Sequence, residues 1–233
     1  MSQWPKRTAL ADNRTDREIE AAETLRARSH WRKIRRIRLV VSVAICGGGV
    51  GVAALYLVFL AATEYPKTPE HLDFTNALIL GLGAFVPTAL LAAAITWAIS
   101  ERVENARGIL VWVGVGFSFG ISSSFVTGLF IPFGTVFVRF FTGKIAAGDV
   151  FVDAVDSLFR GISVAFSHGA FGVFTGMTAG VILSVGAYVI DRTNSMLNLT
   201  VQRFAPPTIA VVIAIIVVAI ASFGPVEFLA KLG

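Results

Sequence analysis

Cysteine is nearly absent from this chain: Cys46 stands alone, inside an apolar run. A single thiol has no intrachain partner, so neither a disulfide framework nor a cysteine-based metal site forms within one chain. Charge is scarce as well. Only 15% of the 233 residues are Asp, Glu, Lys or Arg, against roughly a quarter in ordinary soluble domains. That shortage excludes a conventional water-facing surface. The charges that do occur avoid the apolar runs, which leaves too few at membrane depth for a proton relay. Phosphate-loop chemistry is also excluded: Gly47, Gly48, Gly49 and Gly51 read GGGVG with no Lys-Ser/Thr after them, in an apolar segment. No His-x-x-His or Glu-x-x-His pair occurs, so no single helix offers a haem or metal site, and no cofactor or metal is expected. The two halves differ in span length and polarity, so no transporter-type repeat emerges.

What is abundant is apolar length. Hydrophobic residues make up 55% of the chain, mean hydropathy is +0.73, and uncharged runs reach 20 residues or more, the length that crosses a bilayer. The fold class is therefore an all-α integral membrane protein with about five transmembrane helices, plus an N-terminal basic helix and an outer-face amphipathic helix. The expected spans are about 39–62, 76–99, 109–131, 163–190 and 208–223. Two parts follow: a polar cytoplasmic arm over 1–38 and a single membrane domain over 39–233. The polar flank before the first span is too long for a signal peptide, and the span too long for its core, so the first span is a retained anchor.

Residues 1–38 hold eleven Lys/Arg against five acids, a net +6. From Asp16 to Arg38 there is neither Gly nor Pro, and Ala, Glu, Leu and Arg dominate, which favours a helix. Acids near its start and arginines near its end suit the dipole, and Trp31 fits headgroup depth. Arg32, Lys33, Arg35, Arg36 and Arg38 form the expected contact with anionic lipid headgroups. A topogenic flank that keeps the N-terminus inside explains the same residues more simply. Nucleic acid is not the expected partner.

Charge distribution orients the spans. Fifteen of the 20 Lys/Arg fall in the arm, the 100–107 loop and the 191–204 loop; five fall in the alternate segments. That bias predicts a multi-pass protein of the cell (plasma) membrane with a cytoplasmic N-terminus and an outside C-terminus. Trp97 and Trp112 flank the 100–107 loop as an aromatic belt would. Pro87 sits mid-span and should kink it. Residues 132–147 combine Phe133, Phe137, Phe140 and Phe141 with Arg139 and Lys144, and read as an interfacial or re-entrant piece. Asp149, Asp153, Asp156 and Arg160 then share one helical side, with Val152, Val155, Phe159 and Ile162 opposite: an amphipathic helix on the outer face. Three aspartates can hold a divalent cation, but an Asp156–Arg160 pair on a solvated face accounts for them without one.

The third and fourth spans carry matching small-residue stripes: Gly116, Gly120, Ser124 and Gly128 on one, Gly172, Gly176, Gly180 and Ser184 on the other. Residues four apart lie on one helical face. Helices in lipid associate through close backbone approach, which small residues permit. These two helices are expected to form the packed centre.

His168 is the ionisable residue expected at membrane depth, with Ser122 and Ser123 on the partner helix as its polar neighbours. An ionisable group there is a functional candidate by default, and a serine–histidine pair is the core of nucleophilic hydrolysis. Gly120-Ile121-Ser122-Ser123 followed by His168 and a glycine stripe faintly resembles the rhomboid intramembrane proteases. That family expects glycine where Ser123 stands and more helices before the histidine, so membership is not assigned. A neutral imidazole bonded to a neighbouring hydroxyl or headgroup explains His168 equally. The sequence reading therefore favours a non-catalytic structural or accessory subunit of a larger membrane complex, partnered by other membrane subunits or by its own copies. A small channel or carrier is the alternative, and an intramembrane serine hydrolase a remote third.

Overall fold

The computed structural model describes residues 30–55, 81–105, 108–196 and 204–223, without side-chain detail for 101–105, 164, 167–172, 196 and 222–223. Every element among the described residues is helical. Helix α1 is His30–Leu55. A π-helical turn, Gly81–Phe85, leads into α2, Val86–Asn105. Then come α3, Ile109–Phe141, α4, Val150–Met196, and α5, Ala205–Phe223. Among the described residues, four helical stretches are long and apolar enough to cross a membrane: His30–Leu55, Gly81–Ser100, Ile109–Phe141 and Val173–Ser195. The apolar part of α5, Ala205–Ala221, is shorter. The helical part of the N-terminal arm expected over 16–29 and the acidic loop expected over 63–73 lie outside the described residues.

The chain divides into two units, Met1–Arg38 and Leu39–Gly233. In the first, His30–Arg38 forms helical turns on which Arg32, Lys33 and Arg35 are exposed and Arg36 and Arg38 half-buried. The second is the helical bundle.

Inside the bundle α1 is the hub. Its candidate span is 56% buried, against 33–44% for the other three. Leu39, Val43, Cys46 and Val50 recur at helical spacing and join Ala92, Trp112, Val115, Phe119, Leu183, Ala187, Ile190 and Ala210 in one core. The glycine cluster of α1 serves several neighbours at once. Gly47 lies on Ala92 and Gly51 on Thr88 of α2, whereas Gly49 meets the backbone of Ala214 in α5. The Cys46 sulfur fills the space beside Gly186 of α4. The pairings 47 with 92 and 51 with 88 make α1 and α2 antiparallel. With only hydrogens at 47, 49 and 51, three helices can crowd one. The α3–α4 pair that the sequence reading put at the centre thus shares that place with α1.

Three expected boundaries differ. First, α3 does not stop near Ile131; it runs on through Pro132 for 33 residues, about 50 Å. A proline removes one backbone bond, which a helix survives when neighbours pack around it. Arg139, which interrupts the apolar run in sequence, stands in the last turn of α3, where a cation suits the helix dipole. The end comes at Gly143, whose φ of +69° is left-handed. There the Lys144 N–H donates to the Arg139 carbonyl at 2.8 Å and the Gly143 N–H to the Phe140 carbonyl at 3.0 Å, the two bonds of a Schellman stop. So 132–141 is neither re-entrant nor a separate interfacial piece.

Second, the amphipathic stretch beginning at Asp149 is no separate helix. It is the first third of α4, which continues unbroken for 47 residues, about 70 Å. Asp149 precedes the first helical residue and Asp153 lies in the first turn, where acids favour the positive helix end. The Asp156–Arg160 pair forms at 2.5 Å on the exposed face. Among the described residues, Val173–Ser195 is the part of α4 long and apolar enough to cross a membrane, and it overlaps the expected fourth span of 163–190. Third, the helix around Pro87 is not uniform: Pro87 is the second residue of α2, and the π-turn Gly81–Phe85 stands immediately before it, so the carbonyl that its missing N–H leaves without a helix donor lies in a turn of altered register.

Candidate functional site

The site with the most built-in geometry is the seam between α3 and α4. The helices run antiparallel, and their glycines meet backbone to backbone. A methyl group added at Gly120 would stand 2.6 Å from the Gly176 carbonyl oxygen. One at Gly116 would strike the Gly180 carbonyl and the Ser184 hydroxyl. In return, Gly180 faces the Gly116 carbonyl, and Gly176 faces the Gly120 carbonyl and the Ser124 hydroxyl. Further along, Gly128 lies 2.9 Å, at its missing Cβ, from the Ala165 Cα, and Gly161 lies against the Leu129 carbonyl. The seam admits no side chain at these positions. Gly172 falls on the α4 backbone between these contacts, but its surroundings lie outside the described residues.

The hydroxyls of the seam are spent locally. Ser123 donates to the Gly120 carbonyl at 3.2 Å, Thr127 to the Ser123 carbonyl at 2.8 Å, and Ser184 to the Gly180 carbonyl at 2.8 Å. All three residues are buried. Bonding to a carbonyl three or four residues back satisfies a hydroxyl in lipid without a partner helix. Ser122 is half-buried. A serine nucleophile needs its proton directed at a base; the Ser123 proton is directed at a backbone carbonyl. His168 belongs to α4, between Ala165 and Gly176, and its side chain lies outside the described residues. Among the described residues no group of three or more His, Cys, Asp or Glu is placed to hold a metal ion.

One contact escaped the sequence reading. Trp112 is buried, and its indole N–H donates to Asp191 Oδ2 at 3.3 Å. Sequence placed Trp112 in an interfacial belt and Asp191 in a loop. Instead α4 continues past Asp191 to Met196, and the carboxylate reaches back to the first turn of α3. Of the two belt tryptophans only Trp97 is exposed. A usable signal existed: a buried indole needs an acceptor, and Asp191 is the first acid after a long uncharged run.

No protein-family model matches the chain, and no curated protein or solved structure resembles it detectably.

Proposed function

We propose that this protein is a non-catalytic, multi-pass component of a membrane assembly, a structural or accessory subunit. The observation that carries the reading is the α3–α4 seam: its glycines bring the two backbones into contact, and the buried hydroxyls of Ser123, Thr127 and Ser184 are bonded within their own helices. Among the described residues such a core holds shape and offers no reacting group. Large apolar side chains such as Leu110, Phe174 and Val181 point outward, as they would toward lipid or neighbouring helices. In this reading α5 is the fifth span. The same reading assigns the arm, the 100–107 stretch and the 191–204 stretch, which together hold fifteen Lys/Arg, to the cytoplasmic side of the plasma membrane. Arg32, Lys33, Arg35, Arg36 and Arg38 then contact anionic headgroups.

The test is extraction from native membrane in mild detergent followed by native mass spectrometry. A complex of defined stoichiometry, with other subunits or with copies of this chain, is expected; a lone monomer overturns the reading. A small channel or carrier is the second reading, favoured by the π-turn before Pro87. Solute flux into liposomes carrying the pure protein would select it.

A further inference from the structure

The backbone irregularities of the bundle converge at one level. Pro132 stands inside α3, where its missing N–H deprives the Gly128 carbonyl of its helix donor. At the same level α2 is preceded by its π-turn. The two defects touch: a Cβ on Gly83 would stand 3.1 Å from the Ile131 Cα and 3.6 Å from the Phe130 carbonyl oxygen. On the α4 side, Gly161 meets the Leu129 carbonyl and Ala165 lies under Gly128. Close backbone contacts therefore reach α3 from both sides over residues 128–131.

The seam changes register here as well. From Gly120–Gly176 to Gly128–Ala165, α3 advances eight residues and α4 eleven, about 12 and 16 Å of helix. Small and polar residues on α4 at this level (Gly161, Ser163, Ser167, Gly169) are of the kind at which helices bend. Beyond the level, the outward faces are open: Phe141, Phe151 and Phe159 are each more than 60% exposed.

We propose that the α3–α4 hairpin beyond Pro132, residues 132–162, is a rocking arm that pivots on a fulcrum formed by Gly83, Ile131 and Gly161. The broken ladder at Pro132 lets α3 flex, the π-turn of α2 supplies a smooth bearing, and the glycine contact lets α4 follow. This inference assumes neither a partner nor a solute.

Distance distributions from pulsed electron resonance in lipid nanodiscs test it. Spin labels on Leu90→Cys and Val152→Cys report the arm against the bundle; Leu90→Cys with Val113→Cys reports the bundle alone. All three positions are at least 50% exposed, and the background is Cys46→Ala. The arm pair is expected to show a distribution at least twice as wide as the bundle pair. Pro132→Ala should halve that width while leaving the bundle pair in place. Equal widths for the two pairs overturn the proposal, and so does a wide arm distribution that Pro132→Ala leaves unaltered. If Pro132→Ala displaces the bundle pair, Gly83→Ala replaces it: a methyl at the fulcrum should shift the mean arm distance, and an unmoved mean overturns the proposal.

Discussion

Gly176→Leu is the sharpest perturbation of this fold. A Cβ at residue 176 would press on the Gly120 carbonyl and stand 2.6 Å from Ser124 Oγ. An ordinary carbon–oxygen contact is wider, and the obstacle at Gly120 is helix backbone, which has no rotamer to change. Leucine adds three further carbons, so α3 and α4 must separate. Overpacking costs about 1–3 kcal/mol even in adaptable cores. Parting the seam also forfeits the van der Waals contact from Gly116 to Gly128, which no hydrophobic force replaces in lipid. By the scaling for chains of this size, the melting temperature should fall by about 2–12 °C. The control is Val181→Leu on the same helix, whose side chain is 65% exposed and should melt with wild type. Both variants are measured against wild type in one detergent by tryptophan fluorescence during heating. A Gly176→Leu protein that melts with wild type would refute the backbone-to-backbone seam.

Further outcomes are expected elsewhere. Thr96 is fully buried and its hydroxyl oxygen has no hydrogen-bond partner among the described residues, so the nearly isosteric Thr96→Val should stabilise the protein by about 1 kcal/mol, read as a higher melting temperature; a lower one would mean the hydroxyl is bonded. Trp112→Phe keeps an aromatic side chain but removes the indole N–H that Asp191 accepts and leaves the buried site underfilled, and should destabilise by at least about 1–3 kcal/mol in the same assay; no change would make both the hydrogen bond and the packing energetically silent. A peptide of residues 13–38 should bind anionic vesicles and release as ionic strength rises, since each Lys/Arg near such a surface contributes about 1 kcal/mol, screened by salt. Equal binding to neutral vesicles would assign the contact to apolar side chains instead.

The class of structure was legible in the sequence because it depends on composition summed over twenty-residue windows. Uncharged runs of that length have few alternatives to apolar helices, and every regular element among the described residues is a helix. Helix ends were harder to read because each is decided locally, by competing terms of similar size. Arg139 and Pro132 both look like terminators in sequence. In the folded chain one complements a helix dipole, the other is carried through by its neighbours, and the stop falls to Gly143. Asp149 and Asp153 read as the side of a surface helix, yet their place is the start of a 47-residue one.

Sequence by itself determined which residues are small enough to let helices touch, because a missing side chain is a property of the residue and not of its surroundings. It could not say which backbone each would meet. Gly47, Gly49 and Gly51 are close in the chain, but residues two apart point about 200° apart around a helix, so Gly49 meets α5 while Gly47 and Gly51 meet α2, and only the assembled bundle makes α1 its hub. Likewise Asp191 and Trp112 are 79 residues apart. Their contact exists because α3 and α4 run antiparallel with the glycine seam fixing their register, and register is decided by packing between helices, a quantity that no local stretch of sequence contains.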